Sequence, residues 1–179
     1  MRKSIAGITA AAALTVALVA GAAAPAQASV PRSYRNALAQ AKDYVASLDI
    51  SKAGLYDQLH SRYGSAFSAK AAHYGANHVH ANWKHEARDS AQSYVHNGDF
   101  SKKSLFKQLT SKYGEKFTTS QANYALKHVK VNYKREALGA ARSYEKNFHM
   151  SDAELYDQLT SSYGEEFTSG QAHWAIDHL

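Results

Sequence analysis

Cysteine is missing from all 179 residues, which removes disulfides, thiolate metal sites, iron–sulfur clusters and a cysteine nucleophile, and with them the acylated cysteine of an exported bacterial lipoprotein. Proline stands only at Pro25 and Pro31. The chain beyond residue 31 therefore lacks the strongest helix breaker, and an all-α fold is expected there. Charge of one sign is also scarce: the formal net charge is +6, and Arg2 and Lys3 account for two of it. Such a modest excess carries no strong argument for nucleic acid.

Residues 1–28 read as a signal peptide. Arg2 and Lys3 precede an apolar run from Ile5 to Ala24, and Pro25 leads into Ala26-Gln27-Ala28, a small-x-small exit of the signal-peptidase kind. The competing reading is a retained anchor, since the run approaches the roughly 20 residues a span needs. Its alanine-rich composition favours cleavage and export.

From residue 30 onward the sequence repeats with a period of 50 and no insertions. Ala37, Ala41 and Tyr44 return as Ala87, Ala91 and Tyr94 and again as Ala137, Ala141 and Tyr144. Ser51, Leu55, Gln58, Leu59, Tyr63-Gly64, Phe67, Ala72 and His78 recur in the same register. Three tandem copies follow, at 30–79, 80–129 and 130–179, and a fixed period of this size marks an array of supersecondary units.

Each copy is predicted to hold three helices. The first runs from about Tyr34 to Ser47, with Tyr34, Ala37, Ala41, Tyr44 and Leu48 on one face, and Asn97-Gly98 and Asn147 mark its end in later copies. Ile50, Phe100 or Met150 before Ser51, Ser101 or Ser151, with leucine four residues past the serine, makes a hydrophobic staple around an N-cap. The second helix then carries Leu55, Tyr56, Leu59 and Tyr63 and is expected to stop at Gly64 in the left-handed conformation.

Thr118 with Gln121 and Thr168 with Gln171 fit capping boxes for the third helix; Ser68 keeps the cap, but Ala71 cannot close the box. Ala72, Gly75, Ala76 and Val79 form that helix's apolar stripe, and Gly75 should cost about 1 kcal/mol relative to alanine. Nothing between Ala76 and Asn97 breaks the helical pattern. The copies are therefore expected to be linked by long helices, or by helices bent near Asn82-Trp83 and Asn132-Tyr133. A unit of this size buries only about 60% of its unfolded surface, so sharing a linker or a neighbour would support it.

Chemistry is harder to find. His73, His78, His80 and His85 are spaced five, two and five apart, so no two rings share a helical face as a metal pair requires. Asp57 recurs as Asp157 but becomes Lys107, the repeated serines sit at caps, and there is no glycine-rich phosphate loop. No catalytic set, metal site, cofactor or small-molecule substrate is indicated. The remaining repeated feature is Tyr74, Tyr124 and Trp174, each followed four residues on by His78, His128 or His178. These six residues are candidates for partner binding, because aromatic groups with polar handles anchor protein interfaces. Packing against the adjoining repeat or the first helix is the alternative use of the same rings, and a packing or capping duty is the alternative for the histidines.

The copies differ in charge. Six Lys+Arg stand against three Asp+Glu in 30–79, eight against four in 80–129, and five against eight in 130–179, giving +3, +4 and −3. This polarises the array and would orient it against a charged partner. The second and third helices also look like a helix-turn-helix, but export and an acidic third copy argue against DNA.

The run Ser101-x3-Leu105-x2-Gln108-Leu109-x-Ser111-x-Tyr113-Gly114-x2-Phe117-Thr118, followed by Gln121-Ala122-x-Tyr124-Ala125, resembles the repeat of the Ltp family of host-cell-surface-exposed lipoproteins. The likeness spans residues 34–179. It implies tandem helix-turn-helix units and, by the family's best-understood members, superinfection exclusion: a protein outside the membrane that blocks entry of phage DNA by engaging the phage tape-measure protein. The chain departs from the family in having no lipobox cysteine, so it is not expected to be lipid-anchored. The expectation is an exported, non-enzymatic protein that binds a protein partner at the cell surface. The alternatives are an envelope-associated module on anionic wall polymers and, more weakly, a DNA-binding protein.

Overall fold

The computed structural model describes residues 29–179; the segment read as a signal lies outside them. Nine α-helices and no strands occur among the described residues. They are α1 (Arg32–Ser47), α2 (Lys52–His60), α3 (Ala69–His78), α4 (Trp83–Asn97), α5 (Lys102–Thr110), α6 (Thr119–His128), α7 (Tyr133–Phe148), α8 (Asp152–Thr160) and α9 (Ser169–Ile176). Three successive helices make one unit, in which the long first helix packs chiefly on the third and the third on the second.

Local chemistry sets these helices. Ser51, Ser101 and Ser151 each accept a hydrogen bond from the amide three residues on, and Ile50, Phe100 and Met150 pack into the same clusters as Leu55, Leu105 and Leu155. The boxes at Thr118/Gln121 and Thr168/Gln171 are complete, and Ser68 caps alone. Asn97 and Asn147, read as stops, stand in the last turn of α4 and α7 and donate their side-chain amides back to the carbonyls of Ser93 and Ser143.

Every unit has its own core. Leu59, Leu109 and Leu159 are fully buried beside Leu55, Leu105 and Leu155, and alanines fill the helix contacts. Each buried leucine contributes roughly 1.5–3 kcal/mol of transfer free energy. Small residues bring the helices close: a Cβ on Gly75 would lie 2.7 Å from the carbonyl oxygen of Ala37. That overturns the expectation that Gly75 is a simple propensity cost, because alanine there would collide with α1.

Two further expectations are corrected. The second helix ends at His60, Ser111's counterpart Ser61 begins a turn, and no glycine has a positive φ among the described residues. The left-handed residue is Ala66, Lys116 or Glu166, at φ 54°, 59° and 58°. Gly64 is needed for close approach instead: its Cβ would sit 2.0 Å from the Gln58 carbonyl oxygen, and Gly164 repeats this at 2.1 Å from Gln158. The turn folds back over the end of α2, so that the amides of Ser65 and Phe67 bond the carbonyls of Gln58 and Leu59.

The linking helices are also absent. At Val79 and Val129 the backbone leaves the helix with ψ 135° and 138°, and residues 79–82 and 129–132 are non-helical. Asn82 accepts from the His85 amide and Asn132 from those of Lys134 and Arg135, which starts a new helix at the two places read as bends, with a break in the helix rather than a kink within it. The second break is also clasped: the Gln92 side chain donates to the Lys130 carbonyl and accepts from the Lys130 amide, at 3.3 and 3.1 Å.

Candidate partner-binding surfaces

The six residues singled out by sequence come together in pairs. Tyr74 stacks on His78 at 3.9 Å, Tyr124 meets His128 at 4.2 Å and Trp174 stacks on His178 at 4.1 Å between centroids. Nδ1 of His78 and of His178 lies 2.9 and 2.8 Å from the carbonyl oxygen of its aromatic neighbour, at the C-terminal end of the helix. The rings are half-buried and the histidines exposed. One flank of each ring is taken by its own unit's first helix: Tyr34 packs on Tyr74 at 5.1 Å, and the Lys84 and Lys134 ammonium groups lie 5.7 and 5.6 Å from the Tyr124 and Trp174 ring centres. These rings thus hold α3, α6 and α9 to α1, α4 and α7 and leave one edge outward.

A second repeated aromatic is far more open. Tyr63, Tyr113 and Tyr163 are 93, 88 and 100% exposed. Sequence reading put Tyr63 on the second helix with Leu55, Tyr56 and Leu59 by extending its period past His60. The polar pairs Ser61-Arg62, Ser111-Lys112 and Ser161-Ser162 just before them were the available sign that the helix had ended. Each hangs from a turn pinned at both ends. Tyr94 and Tyr144 accept from Gln108 and Gln158 and donate to Glu115 and Glu165 of the turn, and Tyr44 bonds Ser65 in the first unit. Burial, then the bond to the glutamate, raises the Tyr94 and Tyr144 phenols above their ordinary pKa, so they stay protonated donors.

The third set of contacts lies between units. Lys116 on the second turn pairs with Asp57 on α2, and Glu166 on the third turn pairs with Lys103 and Lys107 on α5, at 2.8 and 2.7 Å. Glu166 is almost fully enclosed, and the two lysines hold its carboxyl below the usual range. Carboxylates gather elsewhere on the same junctions. Burial first, then Asp49, raises the pKa of Glu86; burial first, then Asp99, raises that of Glu136, although the Phe100 amide opposes it. Trp83, first residue of α4, packs on the core of the preceding unit, while Tyr133 at the corresponding place has a buried hydroxyl without a hydrogen-bond partner. Among the described residues no three His, Asp or Glu side chains converge as a metal set, and no helix is long and apolar enough to cross a membrane.

Two comparisons with known proteins agree with this architecture. The family model Lipoprotein_Ltp, described as "Host cell surface-exposed lipoprotein", matches residues 32–79, 82–129 and 132–179. The chain belongs to this family. Among solved structures it is similar to Ltp, a superinfection exclusion protein from the Streptococcus thermophilus temperate phage TP-J34, at 31% identity and a TM-score of 0.52. The match covers 56% of this chain and 99% of that one. No curated protein matches.

Proposed function

We propose that this chain is an exported surface protein acting in superinfection exclusion, by binding a protein of the incoming phage rather than by turnover. The observation that carries the reading is the likeness, over nearly the full length of that structure, to a superinfection exclusion protein. A phage protein of the tape-measure type is the partner this reading assigns. The family is described as lipoproteins, and with no cysteine in these 179 residues acylation of a cysteine cannot supply the attachment.

Tyr63, Tyr113 and Tyr163 are the contact residues the geometry favours first, with Tyr74, Tyr124, Trp174 and their histidines as a flanking set. A wide, rigid amphipathic ring loses little entropy on binding, and a ring already packed on its own unit has less area to offer. The wall-polymer alternative draws on the basic first and second units. Lys103, Lys107 and Lys116 are engaged in ion pairs there, which reduces the charge free for a polyanion.

The test is a phage challenge of cells with and without the chain, scoring DNA entry separately from adsorption. Entry should fall while adsorption is unchanged, and the triple Tyr63→Ala, Tyr113→Ala, Tyr163→Ala variant should restore entry without altering thermal stability. Equal entry with and without the chain would refute exclusion. Release of the protein from washed walls as salt rises would instead favour the polymer.

A further inference from the structure

Between the first and second units the surface opens into a cavity of about 460 Å³, a size that small ligand groups occupy. Asp49, from the segment joining α1 and α2, lines it together with Ser90, Ser93 and Tyr94 of α4, Phe100 and, from the turn after α5, Glu115. Tyr94 and Phe100 give it an aromatic wall, their rings edge to face at 5.3 Å. No lysine, arginine or histidine lines it. Ser93 donates to Asp49 at 3.0 Å and Tyr94 donates to Glu115, so each carboxylate is fixed by one hydroxyl and keeps further acceptor positions. Among the described residues neither carboxylate has an ion-pair partner.

Ser90 points to a ligand independently of these acids. It is 4% exposed, and its hydroxyl makes no hydrogen bond among the described residues. Enclosing a hydroxyl without a partner costs stability, and the fold does not ask for one: Ala140 holds the same position one unit on, 5% exposed. The second junction sharpens the contrast. There Asp99, Tyr144 and Glu165 repeat Asp49, Tyr94 and Glu115, while Ala140 replaces the hydroxyl and Met150 replaces the ring of Phe100.

We propose that this cavity binds an alkylammonium group, presented as the lysine side chain of a protein partner, with Asp49, Glu115 and the Ser90 hydroxyl receiving its three N–H donors and the two rings receiving its methylenes. Acceptors from three separate segments suit the diverging donors of an ammonium better than the planar fork of a guanidinium. An aromatic wall beside the carboxylates suits a cation on an apolar stem. The crowding of negative charge agrees: burial first, then Asp49 and Asp89, raises the pKa of neighbouring Glu86. The inference rests on the protein-binding reading and deepens it by naming one pocket and the side chain it takes. Its test needs neither cells nor phage, so the two readings fail separately.

The probe is a peptide blocked at both ends with one lysine between two leucines, added to the isotope-labelled chain while its amide shifts are followed. Shifts are expected at Ser90, Tyr94 and Glu115, and they should weaken as salt rises. The same peptide with norleucine in place of lysine should give none. Ser90→Ala and Glu115→Gln in the labelled chain should each weaken binding by about threefold or more, the scale of one hydrogen bond or exposed ion pair lost. Ser90→Ala keeps the fold intact, because alanine is the third unit's own residue at that place. Absence of shifts at millimolar peptide, equal shifts with norleucine, equal shifts at Tyr144 and Glu165, or binding indifferent to Ser90→Ala would each overturn the proposal. Butylammonium is the second probe and should bind more weakly than the peptide; binding as tight as the peptide's would overturn the lysine side chain as occupant in favour of a free amine.

Discussion

At the first junction the Asp57 carboxylate and the Lys116 ammonium are 47 and 34% exposed, while at the second the Glu166 carboxylate is 4% exposed between two lysines. The apolar parts run the other way. Trp83 reaches onto the core of the first unit, whereas Tyr133 carries a buried, unpaired hydroxyl at the second. The first junction is thus held mainly by an indole and the second by an enclosed anion, although the backbone around them repeats. Equivalent positions in a tandem array need not share the work equally.

Substitutions separate the two devices. Trp83→Ala should have the largest effect, a loss of about 2–4 kcal/mol read by urea unfolding, because it withdraws an aromatic ring from the first core. A loss no greater than that of an exposed aromatic would show the indole to be peripheral. Glu166→Gln should cost about 1–2 kcal/mol, and Asp57→Asn under about 1 kcal/mol, as an enclosed charged contact outweighs a hydrated pair. Equal costs would erase the distinction between the junctions. Tyr133→Phe should be neutral or stabilising by about 0.5–1 kcal/mol, since it removes a polar atom that is desolvated without compensation.

The smallest effect is a pH signature. Glu166 has a depressed pKa in the folded chain, so its contribution is complete above the ordinary glutamate value of 4.5 and is lost as pH falls through the folded value beneath it. Glu136 is raised, mainly by burial, so the folded chain holds its proton more tightly than the unfolded one does. Its contribution is therefore greatest below 4.5 and declines as pH rises through the window just above. Thermal melts of Glu166→Gln and Glu136→Gln across mild acid should shift in opposite senses relative to the parent. Parallel shifts would contradict the assignment.

Most of the helical architecture was legible because its determinants are local. A staple, a serine cap or a capping box acts across three or four residues, and the period of 50 showed each device three times. What escaped depends on contacts distant in sequence. Gly64 resembles a helix stop, yet its constraint is the Gln58 carbonyl brought over it by the returning turn. The change from Asp57 to Lys107 told only against a repeated carboxylate site, and its reason lies far off in sequence, where Lys116 and Glu166 stand opposite them with the reverse charges. For Tyr74, Tyr124 and Trp174, packing on the adjoining repeat or on the first helix was one reading of the rings, and they meet the first helix of their own unit; choosing between the two takes the crossing of helices, which periodicity does not supply. Asn82 and Asn132 were noticed as places to bend, and only the extended backbone at Val79 and Val129 shows that the helix ends there.

The Gln92 clasp on Lys130 has a consequence for resistance to proteolysis. Its counterpart in the first unit is Lys42, whose side chain has no amide with which to grip His80 in the same two-handed way. An endoprotease, which must thread an extended stretch of backbone, therefore finds the seam at His80 easier to open than the one at Lys130. Brief digestion should liberate the leading bead and leave the trailing two as one fragment.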